Sequence, residues 1–250
     1  MDDCKVYGVV ALKGGVGKTT LVANLGASLS ADFDKKVLLV DANFSTPHLG
    51  LHLGVIDPEF TLHHVLNDDH SIYESIYQHA LGFHIIPGRL APFEVDPLAL
   101  KEKLEPLKKI YDVIIIDSSP SLNDEMYATM AASDELLVVS SPDYPTLSST
   151  LYAIDVADKK DTEVRGIVIN KVHKKKFELS SRDIASASDV KVLAAVPNSV
   201  KVLAALAKMA PVVSVSPRHD VSIAYKKLAG SLVGEKYGTF SRLKRRMAKK

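Results

Sequence analysis

Apolar residues in this chain arrive in short unbroken runs, each followed by a polar or glycine-rich break and then by apolar positions spaced three or four apart. Residues 6–12 (VYGVVAL) form such a run, and Leu21, Val22, Leu25 and Leu29 follow at helical spacing. A run that is apolar on both faces is the pattern of a buried parallel strand; the longer repeat is that of a helix with one face turned inward. Ile114, Ile115 and Ile116 are β-branched as well as apolar, so the strand that carries them is expected at the centre of the sheet. Repeated strand-then-helix alternation predicts an α/β fold, a mostly parallel twisted sheet with helices on both faces.

The break between the first strand and the first helix carries chemistry. Residues 11–20 read ALKGGVGKTT. Gly14, Gly15 and Gly17 allow backbone torsions that turn successive N–H groups, Val16 among them, towards one point, and the helix starting near Lys18 adds its positive end there. A polyphosphate fits such a nest. Lys18 reaches β- and γ-phosphate oxygens, the Thr19 hydroxyl is placed to ligate Mg²⁺, and Thr20 lies near the α-phosphate. Strand, glycine loop and helix come in the order a P-loop NTPase requires, although Leu12 stands where the general pattern has glycine. Asp117, leaving the central strand at its carboxyl end, is a second candidate for Mg²⁺, directly or through water; a helix cap or turn is its plainer use.

Lys13 is a further cation, ahead of the phosphate-loop lysine, and KGGVGKTT at residues 13–20 resembles the signature of the MinD/ParA group of deviant-Walker ATPases. Other landmarks of that group follow in order over about residues 5–235: KVLLVDAN at 36–43 resembles the strand entering the first switch, DVIIIDSSP at 112–120 the Walker B strand entering the second. GIVINKV at 166–172 resembles the strand whose asparagine, here Asn170, reads adenine, and VPNS at 196–199 the loop, here with Pro197, that packs on the base. The resemblance implies ATP and Mg²⁺ as cofactors, Asp41 as a first-switch residue near the metal, and an ATP-dependent homodimer in which each Lys13 reaches the partner's phosphates. The plainer readings are a solvated loop lysine for Lys13 and a turn former for Asn170.

One substitution affects catalysis. The group usually carries Asp-x-Asp in the first switch, whereas this chain has Asp41-Ala-Asn43, and Asn43 cannot serve as an anionic base. A side-chain amide can still orient water, so slow hydrolysis and a long-lived ATP dimer are expected. His48 and Ser199 depart from the group's usual residues at positions that bear on base contacts and partner recognition.

The 250 residues, 46% of them hydrophobic, suffice for one sizeable core. No apolar stretch approaches the roughly 20 residues needed to cross a bilayer, and the first residues lack a signal-peptide pattern, so a cytoplasmic protein is expected. Cys4 is the sole cysteine, which removes intrachain disulfides and makes a cysteine-bound iron–sulfur cluster implausible. The histidines, including adjacent His63 and His64, read as surface or core residues. Net charge is +1, yet residues 236–250 hold seven basic residues and no acid, leaving −6 on residues 1–235.

That division marks an ATPase domain at 1–235 and a basic tail at 236–250. If residues 237–248 are helical, Phe240, Leu243 and Met247 share a narrow apolar stripe opposite Arg242, Arg245, Arg246 and Lys249. An anionic membrane surface is the leading partner for such a tail, as the MinD side of the resemblance also implies. Nucleic acid is a weaker alternative, and a solvated or self-docked terminus is the structural one. Three functions stay open: a membrane-associated positioning ATPase, a ParA-type DNA or cargo partitioning ATPase, and an ATP-gated binding module with little turnover. Each would need a protein activator or cargo that the sequence does not identify.

Overall fold

The computed structural model describes residues 4–90 and 94–238. Strands β1 (Lys5–Val10), β2 (Val37–Ala42), β3 (Tyr77–Gln78), β4 (His84–Ile86), β5 (Val113–Ser118), β6 (Glu135–Ser140), β7 (Glu163–Val172) and β8 (Val192–Pro197) form one sheet ordered β3-β4-β2-β5-β1-β6-β7-β8. Every pairing is parallel except that of the short β3 with β4. The helices in chain order are α1 (Lys18–Phe33), α2 (Leu49–His52), α3 (Leu62–Leu66), α4 (Leu100–Leu104), α5 (Asp124–Ala132), α6 (Tyr144–Lys159), α7 (Ser181–Ser188), α8 (Val200–Leu206), α9 (Val212–Val215) and α10 (Asp220–Leu232).

Alternate strand residues face opposite sides of a sheet, and here both sides are covered. Tyr7, Val9, Leu39, Ile115 and Leu137 pack against α1, α9 and α10. Val6, Leu38, Val40, Ile114 and Ile116 pack against α3, α4 and α5, and Leu136, Val138, Ile167 and Ile169 against α5, α6 and α7. This two-sided burial is why residues 113–116 carry no polar position. Each such side chain, fully removed from water, stabilises the fold by about 1.5–3 kcal/mol relative to exposure.

Helix α1 is sandwiched rather than half-solvated. Two of its buried polar residues have partners inside the protein: Asn24 donates to the Thr20 carbonyl at 2.7 Å and accepts from the Val213 N–H at 3.0 Å, and buried Asp32 pairs with buried Lys226 at 3.5 Å. It ends where Asp34 takes a left-handed conformation (φ 57°) and donates its N–H to the Leu29 and Ser30 carbonyls.

Parallel pairing brings strand carboxyl ends to one edge. Asp117 at the end of β5 lies in register with Asp41 of β2 and Val9 of β1. The opposite edge holds the amino ends of the strands and the end of α10, where the Tyr7 hydroxyl donates to the Leu232 carbonyl at 2.9 Å. No helix among the described residues is long and apolar enough to cross a membrane. The expected stripe of Phe240, Leu243 and Met247 lies outside the described residues.

Candidate functional site

The loop between β1 and α1 has the geometry the glycines predict, with one adjustment. Gly15 (φ 73°) and Gly17 (φ 101°) take left-handed torsions, whereas Gly14 does not need one. A side chain at Gly17 would also run into the Asn170 amide. Helix α1 starts at Lys18 with no side-chain cap, so the N–H groups of its first turn are left for an anion. The loop opens on a cavity of about 670 Å³ whose walls include Gly14, Gly15, Gly17, Lys18, Thr19 and Thr20, with Asn43, Asn170 and Pro197 on the other sides. Val16 turns inward to the core and contributes backbone only.

Lys18 is 7% exposed, its Nζ 3.5 Å from the Ala11 carbonyl. Burial lowers its pKa, and the charge of Asp117 acts the other way. Burial pushes Asp117 up to about 6, against the hydrogen bond from Thr19 and the attraction of Lys18. Asp117 Oδ1 is buried without a hydrogen-bond partner. An unpartnered carboxylate oxygen beside a threonine hydroxyl is a donor set of the hard oxygen type that Mg²⁺ takes, so Asp117 and Thr19 fit that ion.

Asp41, expected near the metal, lies in register with Asp117. Its carboxylate is turned into the first-switch backbone, where Oδ2 accepts from the Leu49 N–H at 2.8 Å and Oδ1 from the Asn43 N–H at 3.4 Å. It lies on the wall of a neighbouring cavity of about 490 Å³ beside Pro47 and Gly50, and burial, then the charge of Asp117, holds its carboxyl well above the usual range. In this conformation it organises the switch. Asn43 does face the phosphate cavity, with its amide donating to the Thr46 carbonyl at 2.6 Å and accepting from the Thr46 hydroxyl at 3.2 Å. Glu125, at the start of α5, accepts hydrogen bonds from the Ser45 N–H at 3.2 Å and from the Ser45 hydroxyl, tying the first switch to the helix that follows the second.

Lys13 is exposed, but its ammonium is docked on a neighbouring helix cap and does not line the cavity. Its Nζ donates to the Thr146 hydroxyl at 2.7 Å and pairs with Asp143 at 3.3 Å. Asp143 caps α6 by accepting from the Thr146 N–H at 2.9 Å. Partial burial works upward on its carboxyl, but hydrogen bonds from Ser141, Thr146 and Lys13 bring it down to about 2.

Asn170, on the wall of the same cavity as Pro197, is hydrogen-bonded to the loop. Its amide nitrogen donates to the Val16 carbonyl at 2.7 Å and its oxygen accepts from the Lys171 N–H at 2.9 Å. Lys171, in a left-handed conformation (φ 59°), reaches back to the Gly15 carbonyl at 2.6 Å. Both brace the phosphate loop from the end of β7. Asp143, Thr146, Lys171 and Glu125 escape sequence reasoning; Asp143 and Thr146 show only as a helix-capping spacing, and Lys171 only as the neighbour of Asn170.

Comparison with known proteins agrees with this geometry. The AAA domain family matches residues 4–162. An ATP-binding protein of Methanocaldococcus jannaschii is 32% identical over 228 residues, 90% of this chain and 86% of that protein. The septum site-determining protein MinD of Thermotoga maritima is 30% identical over 239 residues, 91% of this chain and 87% of that one. Among solved structures, MinD of Pyrococcus horikoshii, complexed with Mg-ADP, superposes with a TM-score of 0.87 at 29% identity, covering 92% of this chain and 96% of that one. A phosphate loop with two lysines, a buried carboxylate in register behind it and relatives matched over nine-tenths of the length lead to one assignment: the chain belongs to the MinD/ParA family of P-loop ATPases.

Proposed function

We propose that this ATPase is a Mg²⁺-dependent molecular switch. ATP binding brings two subunits together face to face, and the dimer engages an anionic membrane through residues 236–250 to position or recruit a protein partner. The observation that carries the reading is the placement of Lys13. It is docked outside the phosphate cavity on an exposed cap, held by contacts that one side-chain rearrangement breaks.

In this mechanism the loop N–H groups and Lys18 hold the β- and γ-phosphates, Thr19 and Asp117 hold Mg²⁺, and Asn170 and Lys171 keep the loop in its binding shape. Mg²⁺, when bound, supplies charge neutralisation to the phosphate oxygens. Lys13 of each subunit leaves its own Asp143 and reaches the transferring phosphoryl group of the other, countering its developing charge as an arginine finger does. Asn43, with its amide held by Thr46, orients the attacking water without accepting its proton. Sedimentation with a non-hydrolysable ATP analogue tests the dimer; a monomer at all nucleotide concentrations counts against the reading.

Asn43→Asp restores an anionic acceptor and is expected to raise phosphate release by about a hundredfold, the lower end of general-base contributions; a brisk wild-type rate that this change leaves untouched argues against slow turnover. Asp143→Asn keeps an acceptor for the α6 cap but removes the charge that holds Lys13. Exposed ion pairs contribute up to about 1 kcal/mol, so the nucleotide concentration for half-maximal dimerisation is expected to fall about two- to fivefold by titration.

The regulatory reading, ATP binding with almost no turnover, draws support from the same Asn43–Thr46 contacts. Single-turnover measurements separate the two readings: a bound ATP that outlasts dimer exchange favours the regulatory one.

A further inference from the structure

At the opposite end of the sheet from the phosphate loop, the amino ends of β1, β5 and β7 border an open cleft of about 740 Å³. Six cations line it: Lys5, Lys35, Lys36, Lys108, Lys109 and Arg165. Its two lining acids are already engaged. Buried Glu135 lies between Lys5 at 3.4 Å and Arg165 at 3.6 Å, and Asp112 accepts the Lys36 backbone N–H at 2.7 Å. Lys108 pairs with Glu105 at 3.0 Å. The ammonium groups of Lys35, Lys36 and Lys109 have no carboxylate within ion-pair distance among the described residues. On a domain body that carries −6 over residues 1–235, so local a concentration of positive charge marks an anion-binding surface.

The end of the described chain is at the same place. Leu232 and Val233 border the cleft, and Tyr237 packs on Phe33 with ring centroids 6.4 Å apart and lies under the Lys226 ammonium at 5.4 Å. Residues 239–250 follow from this rim, with six more cations and no acid. Cleft and tail carry the same sign, so neither complements the other, and one anionic surface complements both. Phe240, Leu243 and Met247 favour a bilayer over a nucleic-acid backbone, because an acyl layer accommodates apolar side chains and a phosphodiester chain does not.

We infer that the cleft is a second membrane-contact element, in which Lys35, Lys36 and Lys109 hold lipid phosphates while the tail inserts. The amino-terminal edge of the sheet then faces the bilayer. This rests on the membrane reading of the tail and adds a site within the folded domain.

The test is co-sedimentation of the full chain, with a non-hydrolysable ATP analogue, on phosphatidylglycerol–phosphatidylcholine vesicles and on duplex DNA. Each lysine near an anionic surface is worth roughly a fivefold factor in partitioning, so Lys35→Gln/Lys36→Gln/Lys109→Gln is expected to weaken vesicle binding by about tenfold to a hundredfold. Should the triple variant fail to fold, Lys109→Glu alone is expected to weaken binding by roughly tenfold. Wild-type vesicle affinity in a folded variant overturns the inference, as does wild-type protein that sediments with DNA and not with vesicles. Loss of ATP-dependent dimerisation with vesicle binding intact would instead count against the switch and leave the cleft standing.

Discussion

Asp117→Asn is expected to abolish Mg²⁺-dependent ATP turnover while making the nucleotide-free protein more stable. The two effects share one cause. Asp117 is fully buried, with one carboxylate oxygen unpartnered, and burial raises its pKa to about 6 from the ordinary 3.8. A carboxyl raised in the folded state contributes stability fully present below pH about 3.8 and lost as pH rises through about 6, so the charged form costs stability at neutral pH. The asparagine carries no charge to bury. The Thr19 hydrogen bond and the attraction of Lys18 already offset part of the burial cost, and removing the charge leaves a net gain of about 1–2 kcal/mol. In a domain of this size that is a rise of roughly 2–8 °C in Tm, larger at pH 7.5 than at pH 5. Calorimetry at both pH values, with phosphate release alongside, checks it. A lower Tm for the variant at both pH values means the carboxylate is better satisfied than its contacts show.

Lys13→Ala is expected to leave ATP binding nearly intact, eliminate nucleotide-dependent dimerisation and lower turnover by about a thousandfold or more, the scale of a finger residue supplied in trans. Lys18 and the loop N–H groups remain to bind phosphate in the monomer. The trans arrangement makes a sharper claim. When Lys13→Ala and Asp117→Asn proteins are mixed, the hybrid dimer has one site with an intact Asp117 that receives Lys13 from the other chain. Activity above the sum of the two separate proteins is expected on mixing, and no gain would place Lys13 in its own subunit's site.

Periodicity alone locates β1, α1 and the central place of residues 114–116, because buried parallel strands and amphipathic helices leave different spacings in a chain. The phosphate loop is equally legible in the sequence, since few residue types can form such a nest. What stays hidden there depends on side chains meeting across long sequence separations. Lys13 and Asp143 are 130 positions apart, and Asn170 and Val16 are 154 apart. Nothing local in either partner announces such a contact. The glycines predict that the loop can bend, but not that Asn170 and Lys171 hold it bent. The setting of Asp41 is hidden for a related reason: its position beside Asp117 in the sheet is a matter of register, but the direction of its carboxylate is decided by the backbone of the first switch.

The phosphate loop and the exit of the chain's last residues stand at opposite ends of β1, six residues and so roughly 20 Å apart. At that distance a γ-phosphate does not touch the side proposed to face lipid. In the proposed switch, ATP changes the number of tails and clefts joined in one particle, and two weak anchors joined multiply their affinities instead of adding them. Under that proposal membrane residence is a readout of stoichiometry: the surface counts chains, and hydrolysis releases the protein by halving the count, with no signal travelling through the sheet.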